Sequence, residues 1–163
     1  MTTIFLNYRE DDSLGQTSRL YDRLSAAFEA GTILCDKATL RLGKWADQVN
    51  AALDSAKVTI VVIGPRWESR RLWSKDDPVR AEIERSLRAK ATLVPLLVDG
   101  AALPPREALP PSLHRLLDYQ AVRLSAESHD GYNGDVKSLI ARLRETLAEM
   151  KVRQPGAGHV TDV

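Results

Sequence analysis

Five short apolar runs, interleaved with stretches of helical rhythm, constrain this chain more than any other feature. "TIFLNY", Thr3 to Tyr8, is rich in β-branched and aromatic residues and predicts a buried strand. Leu20, Leu24 and Phe28 then recur at intervals of four with Tyr21 beside them, the apolar stripe of a helix that Gly31 ends. "TILC" reads as a short second strand, and Trp45, Val49 and Leu53 mark a second helix. "KVTIVVIG" is the clearest strand, followed by a third helix on Val79, Ile83 and Leu87. "ATLVPLLVDG" predicts a fourth strand, in which Pro95 argues against unbroken ladder pairing. The segment from Asp99 to Pro111 holds four prolines and reads as a loop. "YQAVRLS" predicts a fifth, edge strand, and Val136, Leu139, Ile140, Leu143 and Leu147 mark a long last helix.

This alternation dictates an α/β fold with right-handed crossovers and a parallel sheet covered on both faces. The 163 residues suit one domain over 1–150, and the aperiodic polar segment 151–163 predicts a disordered tail. Sheets of this kind bind ligands at the carboxyl ends of their strands, where the strand order reverses. Three loops should therefore converge: "NYREDDS", "CDKATLRLGKW" and "GPRWESRRLWSKDD".

Several function classes fall away. A formal net charge of +1 gives no electrostatic reason to expect nucleic acid or an acidic membrane as partner. The longest apolar run, "VTIVVIG", is too short to span a bilayer. With no signal-type apolar core at the N-terminus, the expected location is cytoplasmic. Cys35 is the only cysteine, which excludes an intrachain disulfide or a cysteine-based zinc site, and it reads as a small buried hydrophobe. No glycine precedes Gly15, so no phosphate-binding glycine loop follows the first strand. Glu10, Asp11 and Asp12 would suit a phospho-accepting receiver, but the third strand ends "VIGP" where that chemistry needs an aspartate. His114, His129 and His159 all come late, without a nucleophile elbow, and read as bystanders.

The remaining candidates are Glu82 and Glu84, which border the third helical stripe on opposite sides. Periodicity alone does not choose between them. Asp77 and Pro78 form an N-cap and first-position pair, which places Glu82 within about two turns of the helix start, where the macrodipole favours an ionised carboxylate.

"IFLNYREDDSLGQTSRLYDRL" resembles the opening of bacterial-type TIR (Toll/interleukin-1 receptor) domains. "LCDKATLRLGKWADQVNAALDSAKVTIVVIGPRW" resembles their second strand, BB loop, second helix and third strand. "DDPVRAEIERSL" is similar to the helix that carries the family's glutamate, and "LVPLLVDGAALP" to its fourth strand. The resemblance implies a flavodoxin-like three-layer sandwich with five parallel strands in the order 2-1-3-4-5. It further implies an enzyme that cleaves NAD+ at the nicotinamide–ribose bond, with NAD+ as substrate, no cofactor and no metal. Glu82 matches the family's catalytic glutamate.

Tyr8 and Arg9 match its Tyr-Arg, placed to meet adenine, ribose or pyrophosphate. The same two residues also fit a packed ring and an arginine paired with Glu10 or Asp11. Asp36, Gly43 and Trp45 match the Asp, Gly and aromatic around the BB loop, where Gly43 also suits a plain turn and Trp45 a core position. Arg41 and Lys44 would give that loop a positive charge attractive to phosphate.

Two positions depart from the family pattern. Asn7 replaces the usual Ser, and Pro78 stands where many NAD+-cleaving members carry Trp. Trp67 reads first as packing, and Trp67 or Trp73 would have to supply the missing ring. The expected role is an effector in bacterial antiviral defence, switched on by homotypic TIR–TIR assembly, with a separate sensor as a further partner. The alternatives are a non-catalytic module that recruits other TIR domains and a nucleoside deoxyribosyltransferase-like enzyme.

Overall fold

Side-chain alternation along the strands sets the layers of the molecule. The computed structural model describes residues 3–35, 45–125 and 127–153. In chain order the elements are β1 (Ile4–Asn7), α1 (Glu10–Ala27), β2 (Ile33–Cys35), α2 (Trp45–Ser55), β3 (Val58–Ile63), α3 (Pro78–Arg88), β4 (Thr92–Leu97), β5 (Val122–Arg123) and α4 (His129–Arg153). The strands form one parallel sheet in the order β2-β1-β3-β4-β5, the flavodoxin-like arrangement. Every residue of β3 is buried, as both faces of a parallel sheet require.

Ile4 and Leu6 of β1 and Val58, Ile60 and Val62 of β3 pack with Leu20 and Leu24 of α1 and with Val136, Leu139 and Leu143 of α4. The opposite parity serves the other face. Phe5 packs with Val49 and Leu53 of α2, while Val61 and Ile63 pack with Val79, Ile83 and Leu87 of α3. Thr59 shares the second parity, and its hydroxyl bonds the Ser86 hydroxyl at 2.8 Å, a buried polar link between β3 and α3.

Several local expectations change. Pro95 does not break pairing with β3, since Val61 and Pro95 stand in register. Thr92 and Val98 donate to the carbonyls of Lys57 and Ile63, a parity that aims the Pro95 nitrogen toward β5. There the ladder starts only at Leu96, and β5 is two residues long. Within the expected loop Arg106–Ala108 forms a short 3-10 turn, and from its last proline onward Pro111–Asp118 forms a 3-10 helix. Leu113 and Leu116, three apart, share one face of its three-residue turn and bury against α3's core layer. The last helix runs through Arg153, and residues 154–163 lie outside the described ones. Glu10, Asp11 and Asp12 form the first turn of α1 rather than a loop, a place where the helix dipole favours carboxylates, and Ser13 kinks the helix just beyond.

Asp12 ties the loop after β3 to this turn. Its carboxylate accepts from the Gly64 amide at 2.8 Å and the Arg66 amide at 2.7 Å. A Cβ on Gly64 would fall 2.6 Å from Asp12 Oδ1, so only glycine admits the carboxylate this close. Asp12→Ala and Gly64→Ala should each cost about 1–3 kcal/mol in urea denaturation. Because both remove one shared tie, the double variant should cost no more than the worse single one.

Candidate active site

The carboxyl end of β1 lies beside β3 at the point where the strand order reverses, and a cleft of about 370 Å³ opens there. Its walls come from three places. Tyr8 and Arg9 follow β1, Glu10 and Asp11 begin α1, and Asp77, Pro78, Val79 and Glu82 belong to the start of α3, with Arg71 closing the rim. Glu82 also borders a second hollow of about 230 Å³ between α2 and α3, whose other walls include Val49, Leu53, Arg85 and Arg88. One carboxylate therefore stands between two adjoining cavities.

A buried ion pair fixes the first cleft. Arg9 donates from both terminal nitrogens to Asp77, at 2.9 and 2.8 Å, and both side chains are nearly sealed from solvent. Two parallel hydrogen bonds of this kind set orientation as well as distance. Asp77 also caps α3 by accepting from the Arg80 amide, with Pro78 in the first helical position. The N-cap expected from sequence is present, and it doubles as the anchor for Arg9. The partner of Arg9 is thus Asp77, while Asp11 pairs with Arg71 at the exposed rim. The Arg71 hydrogen bond holds the Asp11 carboxyl below its ordinary value.

The structure separates the two glutamates. Glu82 Oε1 accepts from Asn7 Nδ2 at 2.8 Å and lines both hollows. Glu84 turns away, bonded to Arg80 four residues earlier and to the Ser112 hydroxyl. Burial pushes the Glu84 carboxyl up, but Ser112 and Arg80 outweigh it and hold it below its ordinary value. Glu84 is therefore a structural tie between α3 and the Pro111–Asp118 turn.

Tyr8 is only 8% exposed and packs in the α1/α4 core layer while presenting part of its surface to the cleft. Asp36, Arg41, Gly43 and Lys44 lie outside the described residues, and so does the side chain of Trp45, which opens α2. Neither tryptophan replaces the ring missing at Pro78. Trp67 is fully buried in the α3 core layer. Trp73 is 51% exposed, with its indole N–H donating to the Ala108 carbonyl, and does not line the cleft. Cys35 is buried in the α1/α4 core, and His114 bonds the Leu109 carbonyl.

Three contributors escaped the sequence reading: Asn7 as the partner of Glu82, Asp77 as the partner of Arg9, and Arg71 on the rim. Two-residue alternation along β1 carried the signal for Asn7, since it shares the parity of Phe5 and so faces the α2/α3 layer. The other two depend on folding of the long third loop.

A family model for the TIR domain matches residues 4–140. Among solved structures, the TIR domains of the activated Roq1 resistosome that directly recognizes the pathogen effector XopQ are similar. The TM-score is 0.61 at 16% identity, covering 90% of this chain and 99% of that one. A metazoan TIR-STING receptor from C. gigas in complex with 2',3'-cGAMP gives a TM-score of 0.56 at 22% identity, over 84% of this chain but 38% of that one. At such identities the likeness is one of fold. A search of curated protein sequences finds no match.

Removing Asp77 leaves the Arg9 charge buried without its partner. Asp77→Ala should therefore lose about 3–5 kcal/mol in urea denaturation. Arg9→Met added to it should recover part of that loss. Glu84 makes a different prediction. Its lowered value means that its contribution is present above pH 4.5 and is lost as the pH falls below that. Glu84→Gln should accordingly show a shallower drop in melting temperature on acidification below pH 4.5 than the wild type.

Proposed function

The chain belongs to the TIR domain family, and on that premise we propose that it is an NAD+-cleaving enzyme whose essential carboxylate is Glu82. The observation that carries this reading is the place of Glu82 on the wall of the strand-end cleft, hydrogen-bonded inward while Glu84 is tied up elsewhere. The nicotinamide ring of NAD+ bears a positive charge. When the bond from ribose C1′ to the ring nitrogen breaks, the electron pair stays on nitrogen and neutralises it, so the leaving group needs no general acid. The ribose is left as an oxocarbenium-like cation, the kind of species that carboxylates stabilise in glycoside hydrolysis. A fixed carboxylate beside C1′ acts most strongly when the site excludes water. Attack by water, which then loses a proton, yields ADP-ribose; attack by an atom of the nucleotide itself yields a cyclic ADP-ribose.

Tyr8 and the cationic rim at Arg71 line the same cleft and would meet the ribose and phosphates. Arg9 stands beside them, with its two terminal nitrogens held by Asp77. A cleft of about 370 Å³ suits the nicotinamide–ribose end of the substrate, so the remainder would extend beyond it. Asp36, Arg41, Gly43, Lys44 and Trp45 are the residues proposed to contact it there, with a neighbouring copy's loop completing the site on assembly. The similar Roq1 TIR domains occur within an activated resistosome that recognizes a pathogen effector, which supports activation by self-assembly in defence; the proposed antiviral role rests on the family resemblance alone. Among the described residues no helix is long and apolar enough to cross a membrane.

The test is nicotinamide release from NAD+ at high protein concentration with a crowding agent. Glu82→Ala should reduce turnover about a hundredfold or more. Glu84→Ala, whose carboxylate points away, should stay within about threefold of wild type. Equal inertness of all three proteins, with TIR–TIR association intact, would point to a missing activator or to the non-catalytic recruiting module, which adding candidate partners separates.

A further inference from the structure

We propose that Asn7 is the positioning residue of Glu82, a role that rests on the NAD+-cleavage reading. Asn7 ends β1, stands in register with Val61 of β3, and is fully buried. Its neighbours of the same parity, Phe5 and Val61, are apolar, so a carboxamide here interrupts a hydrocarbon face. It does so opposite Glu82. Asn7 Nδ2 donates 2.8 Å to Glu82 Oε1 and 3.3 Å to the Val79 carbonyl. Both partners are acceptors, and only the NH2 end of an amide can serve them, so the orientation of the group is chemically determined. Its Oδ1, by contrast, is buried with no hydrogen-bond partner among the described residues. An apolar residue would avoid that cost, so the amide is retained at the expense of an orphaned oxygen.

The chemistry explains why a neutral donor suits this place. A cation bonded to Glu82 would cancel the charge that must face the developing ribose cation. An amide fixes the carboxylate's direction and adds no charge of its own. Arg9, a buried cation of the same cleft, is held on Asp77 by two hydrogen bonds. The bond to the Val79 carbonyl sets the amide against the first turn of α3, so one side chain references Glu82 to both the sheet and its own helix. Serine, the more usual residue in this family, has a shorter reach from the same Cα. Asparagine spans the gap directly.

The experiment measures kcat and KM for NAD+, together with melting temperature, in wild type, Asn7→Ala, Asn7→Asp, Glu82→Gln and Asn7→Ala/Glu82→Gln. Asn7→Ala should lower kcat about tenfold or more while KM moves less than about threefold, because the contact orients the reacting carboxylate rather than the substrate. Since Asn7 acts only through Glu82, the double variant should be no slower than Glu82→Gln. Asn7→Asp keeps the shape and fills the space but turns a donor into an acceptor. It should lose at least as much kcat as Asn7→Ala, because two facing carboxylates compete for one proton. Wild-type kcat in a folded Asn7→Asp or Asn7→Ala, or losses that multiply in the double variant, would overturn the role while leaving Glu82 as the catalyst. Wild-type turnover in Glu82→Gln would overturn Glu82 as the essential carboxylate, and no turnover in the wild type would overturn the NAD+-cleavage reading itself; either takes the role of Asn7 with it.

Discussion

The buried pair between Arg9 and Asp77 is the constraint on which the site depends. It joins the residue after β1 to the N-cap of α3, positions 68 apart in sequence, through two hydrogen bonds inside a nearly dry interface. Neither charge tolerates that environment alone. Their union therefore fixes where α3 begins relative to the sheet. Everything else at the cleft follows from that start point, including the turn of helix on which Glu82 sits. Asp77 holds the helix from outside by its Arg9 pair and from inside by its bond to the Arg80 amide.

Around that anchor, charged groups are sorted by what holds them. Asp12 is consumed by two loop amides, Asp11 by Arg71, Asp54 by Arg85 and Glu84 by Arg80 and Ser112. These are ties between segments, each charge matched by a cation or by backbone N–H groups. Glu82 is bonded by the neutral Asn7 amide, and the side chain borders two hollows.

The fold was legible because its signals are local and repeated. β-Branched runs and three-to-four-residue stripes name the strands and helices, and alternation orders them into a covered parallel sheet. The errors fell where the signal is short or non-local. Five residues of "YQAVRLS" stay outside the strand because the β4 ladder reaches it only beyond Pro95, pairing Val122 and Arg123, with Leu124 adding one amide bond to the Leu97 carbonyl. The Pro111–Asp118 turn escaped notice because Leu113 and Leu116 follow a period of three, rarer than that of an α-helix. Trp67 and Trp73 lie six residues apart in one loop, yet one is core and the other lies on the surface. No pattern in the loop announces which.

By itself, the sequence determined the layer architecture, the N-cap at Asp77, the membership of Val79, Ile83 and Leu87 in one buried stripe, and hence the pair of glutamates flanking it. Those follow from backbone periodicity and capping, which act over a few residues. Only the tertiary structure gave the two glutamates different surroundings. That difference required β1 to arrive beside α3 from seventy-odd positions away, bringing Asn7 within 2.8 Å of Glu82 while Ser112 approached Glu84 from the opposite side. The contacts of the two carboxylates differ because different distant segments meet them, and distance in space is what one-dimensional periodicity does not encode.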